Sequence, residues 1–233
     1  MTGLFAPEHL GALGVIAAAT VLLVVAARRS NGRWLWVLAT LLVVDEVSWW
    51  VYVLAGGVPG SELAWSLPLQ LCDVAIFVAA AALWTRRRLL VEVTYFWGLA
   101  GTIQALLTPD LPQPFPSYPY WQYYIAHGGV VAAALVLVVG LRIAPRPHAV
   151  LVVAGLTLAY AAFVGGVDAL TGANYMYLRA KPPGPTLLDA MGPWPVYILA
   201  GALVAAVMFA VLDAPFRIFR KRAFRTAPAT PPR

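Results

Sequence analysis

The sequence is poor in charge: only 11% of its 233 residues are Asp, Glu, Lys or Arg. A soluble domain carries about a quarter, so a water-soluble globular fold is excluded. Cysteine is scarcer still. The one example, Cys72, rules out an internal disulfide, a paired-thiol redox centre and any multi-cysteine metal site. No nucleotide, haem or metal motif occurs, so no cofactor and no metal are expected. No repeat of 20 to 50 residues and no inverted duplication is visible, which weakens a secondary transporter. The first apolar run lacks a basic flank and a small-residue cleavage site, so no signal peptide is expected.

What the chain does have is apolar length, with 61% hydrophobic residues. A membrane helix needs roughly 20 mostly apolar residues. Seven segments meet that standard, at residues 10–27, 34–55, 67–84, 89–107, 121–141, 149–166 and 194–212. The expected fold is all-α: a single bundle of seven transmembrane helices over residues 1–216, with a basic tail at 217–233 that is disordered at its end. The connections at 108–120 and 167–193 are long and rich in proline and aromatic residues, and should cap the bundle.

The net charge of +6 is arranged by loop. Basic residues follow the first span (Arg28, Arg29, Arg33), the third (Arg86, Arg87, Arg88), the fifth (Arg142, Arg146) and the seventh (from Arg217 onward). The other side holds only Arg179 and Lys181. The positive-inside rule then puts the N-terminus outside and the C-terminus in the cytoplasm. The tail reads as a topology anchor on anionic headgroups, with no nucleic acid as partner. The excess of arginine over lysine, with much alanine, glycine and proline, suggests a bacterial cell membrane.

Ionisable groups within a bilayer are costly and therefore informative. Asp45 and Glu46 lie midway along the second span. Asp73 follows Cys72, and Glu92 lies near one end of the fourth span, beside the Arg86–Arg88 cluster that would neutralise it. Cys72 is five residues past Leu67 and His127 six past Trp121, which places both about 8 to 9 Å below the outer ends of their helices. His9 and His148, at the ends of spans, are expected to lie outside that layer. Tyr123 and Tyr124 share a helical face with His127. Thr102 and Gln104 approach the same layer from the fourth span, and Gln70 and Gln122 lie slightly above it. Asn174, Tyr175, Arg179 and Lys181, on the long connection before the last span, are placed to fold over the bundle mouth as a lid or a passive cap.

A thiol and an imidazole at one depth form a potential nucleophile and base. Burial makes free thiolate scarce, so His127 would remove the proton as Cys72 attacks an acyl carbonyl. Asp45 or Asp73 would orient the ring, and Gln104 or Asn174 would serve the oxyanion. Gln70, Thr102, Tyr123, Tyr124, Tyr175, Arg179 and Lys181 are candidates for the substrate pocket. By itself a lone membrane cysteine is more often structural.

The blocks "LPLQLCD", "YFWGLAGTIQALLTPDL", "HGG", "GGVDALTGANYMYLRAKP" and "LLDAMGPWPVY", in that order, resemble the YwaF-like family of bacterial integral membrane proteins. That family is distantly similar to the animal transmembrane acyltransferase acting on lyso ether phospholipids. The resemblance implies a cysteine and a histidine, matching Cys72 and His127, that work through an acyl thioester. In arrangement the chain also resembles the androgen-induced intramembrane hydrolases, which use threonine and histidine. Gln70 stands where some relatives would have histidine. The expectation is thus a thiol-dependent lipid acyltransferase whose partners are membrane phospholipids and lysophospholipids. A lipid-ester hydrolase with the same dyad, or a non-enzymatic transporter or lipid-binding protein using Asp45, Glu46 and Asp73, are the alternatives.

Overall fold

The computed structural model describes residues 5–30, 32–58, 67–109, 111, 113–182 and 186–226, with side chains as far as residue 218. The chain is an all-α bundle. Six helices are long and apolar enough to cross a membrane: α1 (Pro7–Arg29), α2 (Leu35–Gly57), α4 (Arg88–Leu107), α5 (Tyr118–Gly140), α6 (Ala149–Thr171) and α7, whose apolar part is Val196–Ile218. α7 itself runs on to Thr226 and carries Pro215 in its interior. The end of the basic tail, expected to be disordered, lies outside the described residues.

The expected third span is the correction. It is α3 (Leu71–Thr85), only 15 residues long. At 1.5 Å per residue it measures about 22 Å, short of a hydrocarbon core of about 30 Å. Among the described residues there are therefore six helices long and apolar enough to span and one short inner helix, instead of seven spans. The orientation inferred from seven crossings, N-terminus outside and C-terminus cytoplasmic, falls with that count. Local chemistry explains the shortness. Gln70 is the N-cap, its side chain accepting from the Asp73 N–H while the Asp73 carboxylate accepts from the Gln70 N–H at 3.1 Å, a reciprocal cap that starts the helix four residues after Leu67. At the other end Arg86 takes a left-handed conformation, φ 53°, which closes the helix before the next begins.

α3, α4 and α5 make the interior. In the apolar stretches of α4 and α5, 61% and 67% of residues are buried, against 11% in α1 and α6 and 17% in α7. α3 packs on α2, α4 and α5, and its alanines Ala75, Ala79, Ala80 and Ala82 are wholly buried, allowing the close approach that membrane helix packing favours. Gly129 of α5 faces α2 so closely that a Cβ there would run into Leu42.

The basic connections meet at one end of the bundle, where Arg86 donates to the Gly32 carbonyl at 2.9 Å and Arg28 to Val139 at 3.3 Å. Glu92, 1% exposed, finds its partner here as well. That partner is Arg146, which binds both carboxylate oxygens at 2.8 and 2.7 Å and adds its backbone N–H at 2.8 Å. The carboxylate in turn raises the Arg146 pKa.

Candidate functional site

Cys72 occupies the second position of α3, in its first turn. Its thiol is half-buried, and the Thr102 hydroxyl lies near enough to act on it. Thr102 gets there through a defect in α4. Residues Gly98–Thr102 form a π turn, with the Ile103 N–H reaching back to Gly98. Such single wide turns displace side chains from the regular α register. Gly98 brings α4 against α5, where a Cβ would meet Ala134 at 3.3 Å, and Gly101 sits over Leu71.

The first turn of α3 has further capacity. The first N–H groups of any helix lack internal partners, and here the Gln70 side chain takes that of Asp73. Among the described residues no hydrogen bond uses the N–H groups of Leu71 and Cys72. Two aligned donors thus stand beside the thiol, at the positive end of the helix dipole.

His127 lies on α5, half-buried, with Nδ1 2.8 Å from the Tyr123 carbonyl and its ring stacked on that of Tyr123 at 4.1 Å. A carbonyl can only accept, so Nδ1 carries the proton and Nε2 is the basic nitrogen. The ring is oriented by backbone and aromatic stacking; neither Asp45 nor Asp73 is its hydrogen-bond partner. Asp45 accepts from Gln122 at 3.4 Å, and Asp73 serves the α3 cap. Tyr123 spends its hydroxyl on the Ala105 carbonyl at 2.7 Å. α3 and α5 are in contact, yet among the described residues no hydrogen bond joins Cys72 to His127.

Around Cys72 lie carboxyls. Asp73 and Glu46 are near enough to act electrostatically on the thiol, and Glu46 on Asp45. Glu46 is the inward-pointing member of its pair, 2% exposed, with Trp50 Nε1 3.4 Å from its carboxylate. None of the three makes an ion pair among the described residues.

The other expected residues distribute as follows. Gln104 donates to the Ala100 carbonyl at 2.6 Å and lies 3.2 Å from the Met208 sulfur. Asn174 folds its own loop, donating to the Ala180 carbonyl and accepting from the N–H groups of Arg179 and Ala180. Arg179 donates to Asp168 and Ala173 carbonyls at 3.4 and 3.2 Å. Lys181 pairs with Asp189 at 3.6 Å and lies over the Tyr197 ring. The loop does grip the approach to α3. Gln70 Oε1 accepts from Met176 N–H at 2.9 Å, the Tyr175 hydroxyl accepts from Leu67 N–H at 3.0 Å, and Tyr160 donates to the Leu69 carbonyl at 2.9 Å. Burial pushes the Tyr175 phenol up, which keeps it neutral.

Two further residues, outside the expected set, hold the surroundings of the site. Asp168, fully buried, anchors the gripping loop by accepting from Tyr175 N–H at 2.9 Å; a carboxylate one turn before Gly172, which caps α6 with φ 81°, was the available signal. His9, placed outside the layer by its position at a span end, is 1% exposed, with Nδ1 2.6 Å from the Tyr124 hydroxyl. Tyr124 therefore belongs to a contact with α1, one turn from His127. Among the described residues no group of three or more His, Cys, Asp or Glu is placed to hold a metal.

No curated protein and no solved structure matches the chain. The model of the TMEM164 family matches residues 4–213. This corrects the resemblance to the bacterial YwaF-like proteins: TMEM164 is a distinct family, and blocks of a few residues each could not separate the two. The bacterial cell membrane rested on that resemblance and on arginine-rich composition. It is corrected likewise, because TMEM164 proteins are typically eukaryotic. What the fold and the match establish together is a polytopic membrane protein, and the chain belongs to the TMEM164 family.

Proposed function

We propose that the protein is an intramembrane lipid acyltransferase in which Cys72 is the nucleophile and His127 the general base. The observation that carries this reading is the placement of a half-buried thiol in the first turn of an inner helix, beside two N–H groups that no hydrogen bond among the described residues uses. Sγ attacks the ester carbonyl of a phospholipid, and the thiol proton passes to Nε2 of His127. The Leu71 and Cys72 N–H groups bind the oxyanion, a role worth about 3 to 4 kcal/mol per donor where it has been measured. The carbon–oxygen bond breaks, and the leaving oxygen takes the proton from the imidazolium as a lysophospholipid departs. A second lysophospholipid hydroxyl then attacks the thioester, its proton passes through His127 to the sulfur, and the carbon–sulfur bond breaks. Water in place of the lipid hydroxyl makes the same site a hydrolase.

The carboxyls of Asp45, Glu46 and Asp73, without a basic partner among the described residues, favour a second reading, in which the protein carries protons or a cationic solute. One experiment separates the two. Purified protein is supplied with a phospholipid labelled in its acyl chain and with unlabelled lysophospholipid. Transfer of label in wild type and its loss in Cys72→Ala and His127→Ala supports the enzyme. Absence of transfer in wild type, with Asp45-dependent flux in proteoliposomes, overturns it.

A further inference from the structure

A threonine in an apolar helix usually returns its hydroxyl to the main-chain carbonyl one turn below. On α4 the Thr94 hydroxyl does so, donating to the Leu90 carbonyl at 2.8 Å, and Gln104 Nε2 reaches the Ala100 carbonyl in the same way at 2.6 Å. Thr40 and Thr157, on other helices, follow the same habit. Thr102 lies between Thr94 and Gln104 and departs from it. Among the described residues its hydroxyl makes no hydrogen bond to a main-chain carbonyl, although the residue is only 2% exposed. The acceptor it would use belongs to Gly98, and in the π turn that carbonyl receives the N–H of Ile103, one residue further on than in an α-helix. The turn that breaks the register at Thr102 also brings its hydroxyl near enough to act on the Cys72 thiol. Single wide turns of this kind are frequent at functional sites.

A second observation gives that hydroxyl a task. The groups that act electrostatically on the thiol are Asp73 and Glu46, both acids and so unable to hold a sulfur anion. The N–H groups of Leu71 and Cys72 serve the substrate oxyanion in the reaction proposed above. The sulfur itself needs another donor, and an anion gains most from a hydrogen bond made directly to it.

Resting on the acyl-transfer reading of Cys72, we propose that Thr102 is a third catalytic residue, whose hydroxyl donates a hydrogen bond to Sγ whenever the sulfur is anionic. That happens twice in a cycle. In acylation the thiol proton goes to Nε2 of His127 as Sγ bonds to the acyl carbon, while the Thr102 O–H stays intact with its hydrogen directed at the sulfur. In deacylation the carbon–sulfur bond breaks and its electron pair returns to Sγ, and the same O–H holds that charge until the imidazolium gives its proton back. A hydrogen bond to a charged acceptor is roughly twice as strong as a neutral one, so the contact strengthens only while the charge exists, which is what raises a rate.

Valine keeps the shape of threonine without the hydroxyl, and serine keeps the hydroxyl without the methyl group, so the pair separates bonding from packing. Cys72 is the sole cysteine, and alkylation of the full chain by N-ethylmaleimide in detergent, followed by intact mass, reads that thiol alone. Thr102→Val should slow both this alkylation and the transfer of a labelled acyl chain from phosphatidylcholine to lysophosphatidylcholine, each by about ten- to a hundredfold, with little change in melting temperature. Thr102→Ser should restore both to within a few-fold of wild type. Thr94→Val, a buried threonine of the same helix bonded to its own backbone, is the control and should leave both rates unchanged. Wild-type alkylation in Thr102→Val overturns the proposal, and so does a loss of transfer that Thr102→Ser does not restore. Absence of transfer in wild type, with alkylation still slowed by Thr102→Val, overturns instead the reading of Cys72 as a transferase nucleophile, and the catalytic role of Thr102 falls with it. Thr102→Ala replaces Thr102→Val should that variant not fold.

Discussion

The inner helices α3, α4 and α5 and the outer helices α1, α6 and α7 are built to different standards. The outer helices bury few of their residues, and lipid accepts almost any apolar side chain on their faces. The inner helices are defined by exceptions to that plainness: α3 is too short to span, α4 contains a π turn, and α5 has a histidine followed by two glycines. Each exception coincides with a polar group brought toward its neighbours. A membrane bundle can thus concentrate its chemistry in helices that protein, and not lipid, surrounds, because polar atoms find partners there.

Substitutions at matched positions should expose this division, beginning with the largest effect. Arg146→Ala leaves Glu92 buried without its cation, and breaking a buried pair costs about 3 kcal/mol or somewhat more. Exposure of Arg146 on one side moderates that loss. The melting temperature in detergent should drop well below wild type, and the double variant Arg146→Ala with Glu92→Gln should recover part of it. Next come the glycines. Gly129→Ala forces a methyl into Leu42 and should cost about 1 to 3 kcal/mol by overpacking. On outer α6 Gly155→Ala meets nothing and should stabilise the helix by about 0.5 to 1 kcal/mol. Equal effects of the two on thermal unfolding would erase the distinction between inner and outer helices.

Gln70→Ala removes both the α3 cap and the acceptor of the Met176 N–H. A loss of about 1 to 2 kcal/mol is expected. A faster reaction of Cys72 with a maleimide should accompany it, since the first turn of α3 would fray; an unchanged rate would show that the loop does not position that turn. Among the destabilising substitutions Thr102→Val should have the smallest effect, about 1 kcal/mol for loss of the polar contact beside Cys72.

Much of this architecture is legible in the sequence. Apolar runs mark six of the helices, because burial in lipid requires an uninterrupted stretch, but α6 and α7 run on to Thr171 and Thr226, past the expected ends at 166 and 212. The run from Leu67 misled, since "LPL" is as apolar as the helix it precedes; the Gln70 and Asp73 pairing that starts α3 was present, but glutamine is an uncommon cap. The π turn at Gly98–Thr102 has no periodic signature, so spacing put Thr102 near the layer of Cys72 without showing that it faces the thiol. Partnerships across the bundle, His9 with Tyr124, Glu92 with Arg146 and Tyr175 with Leu67, depend on helix order and tilt, which no local pattern encodes. Depth along each span is readable from spacing, and that suggested Cys72 and His127 together. Their rotation about the helix axes is not.

The reading of the inner helices as a reaction site rests on one covalent bond. Intact-protein mass measured after incubation with a phospholipid of defined acyl chain should show a single acyl adduct in wild type, removed by neutral hydroxylamine, mapped to Cys72 and absent from Cys72→Ser. An unmodified wild-type mass under turnover and rapid-quench conditions, with acyl exchange still proceeding, would contradict the thioester at Cys72.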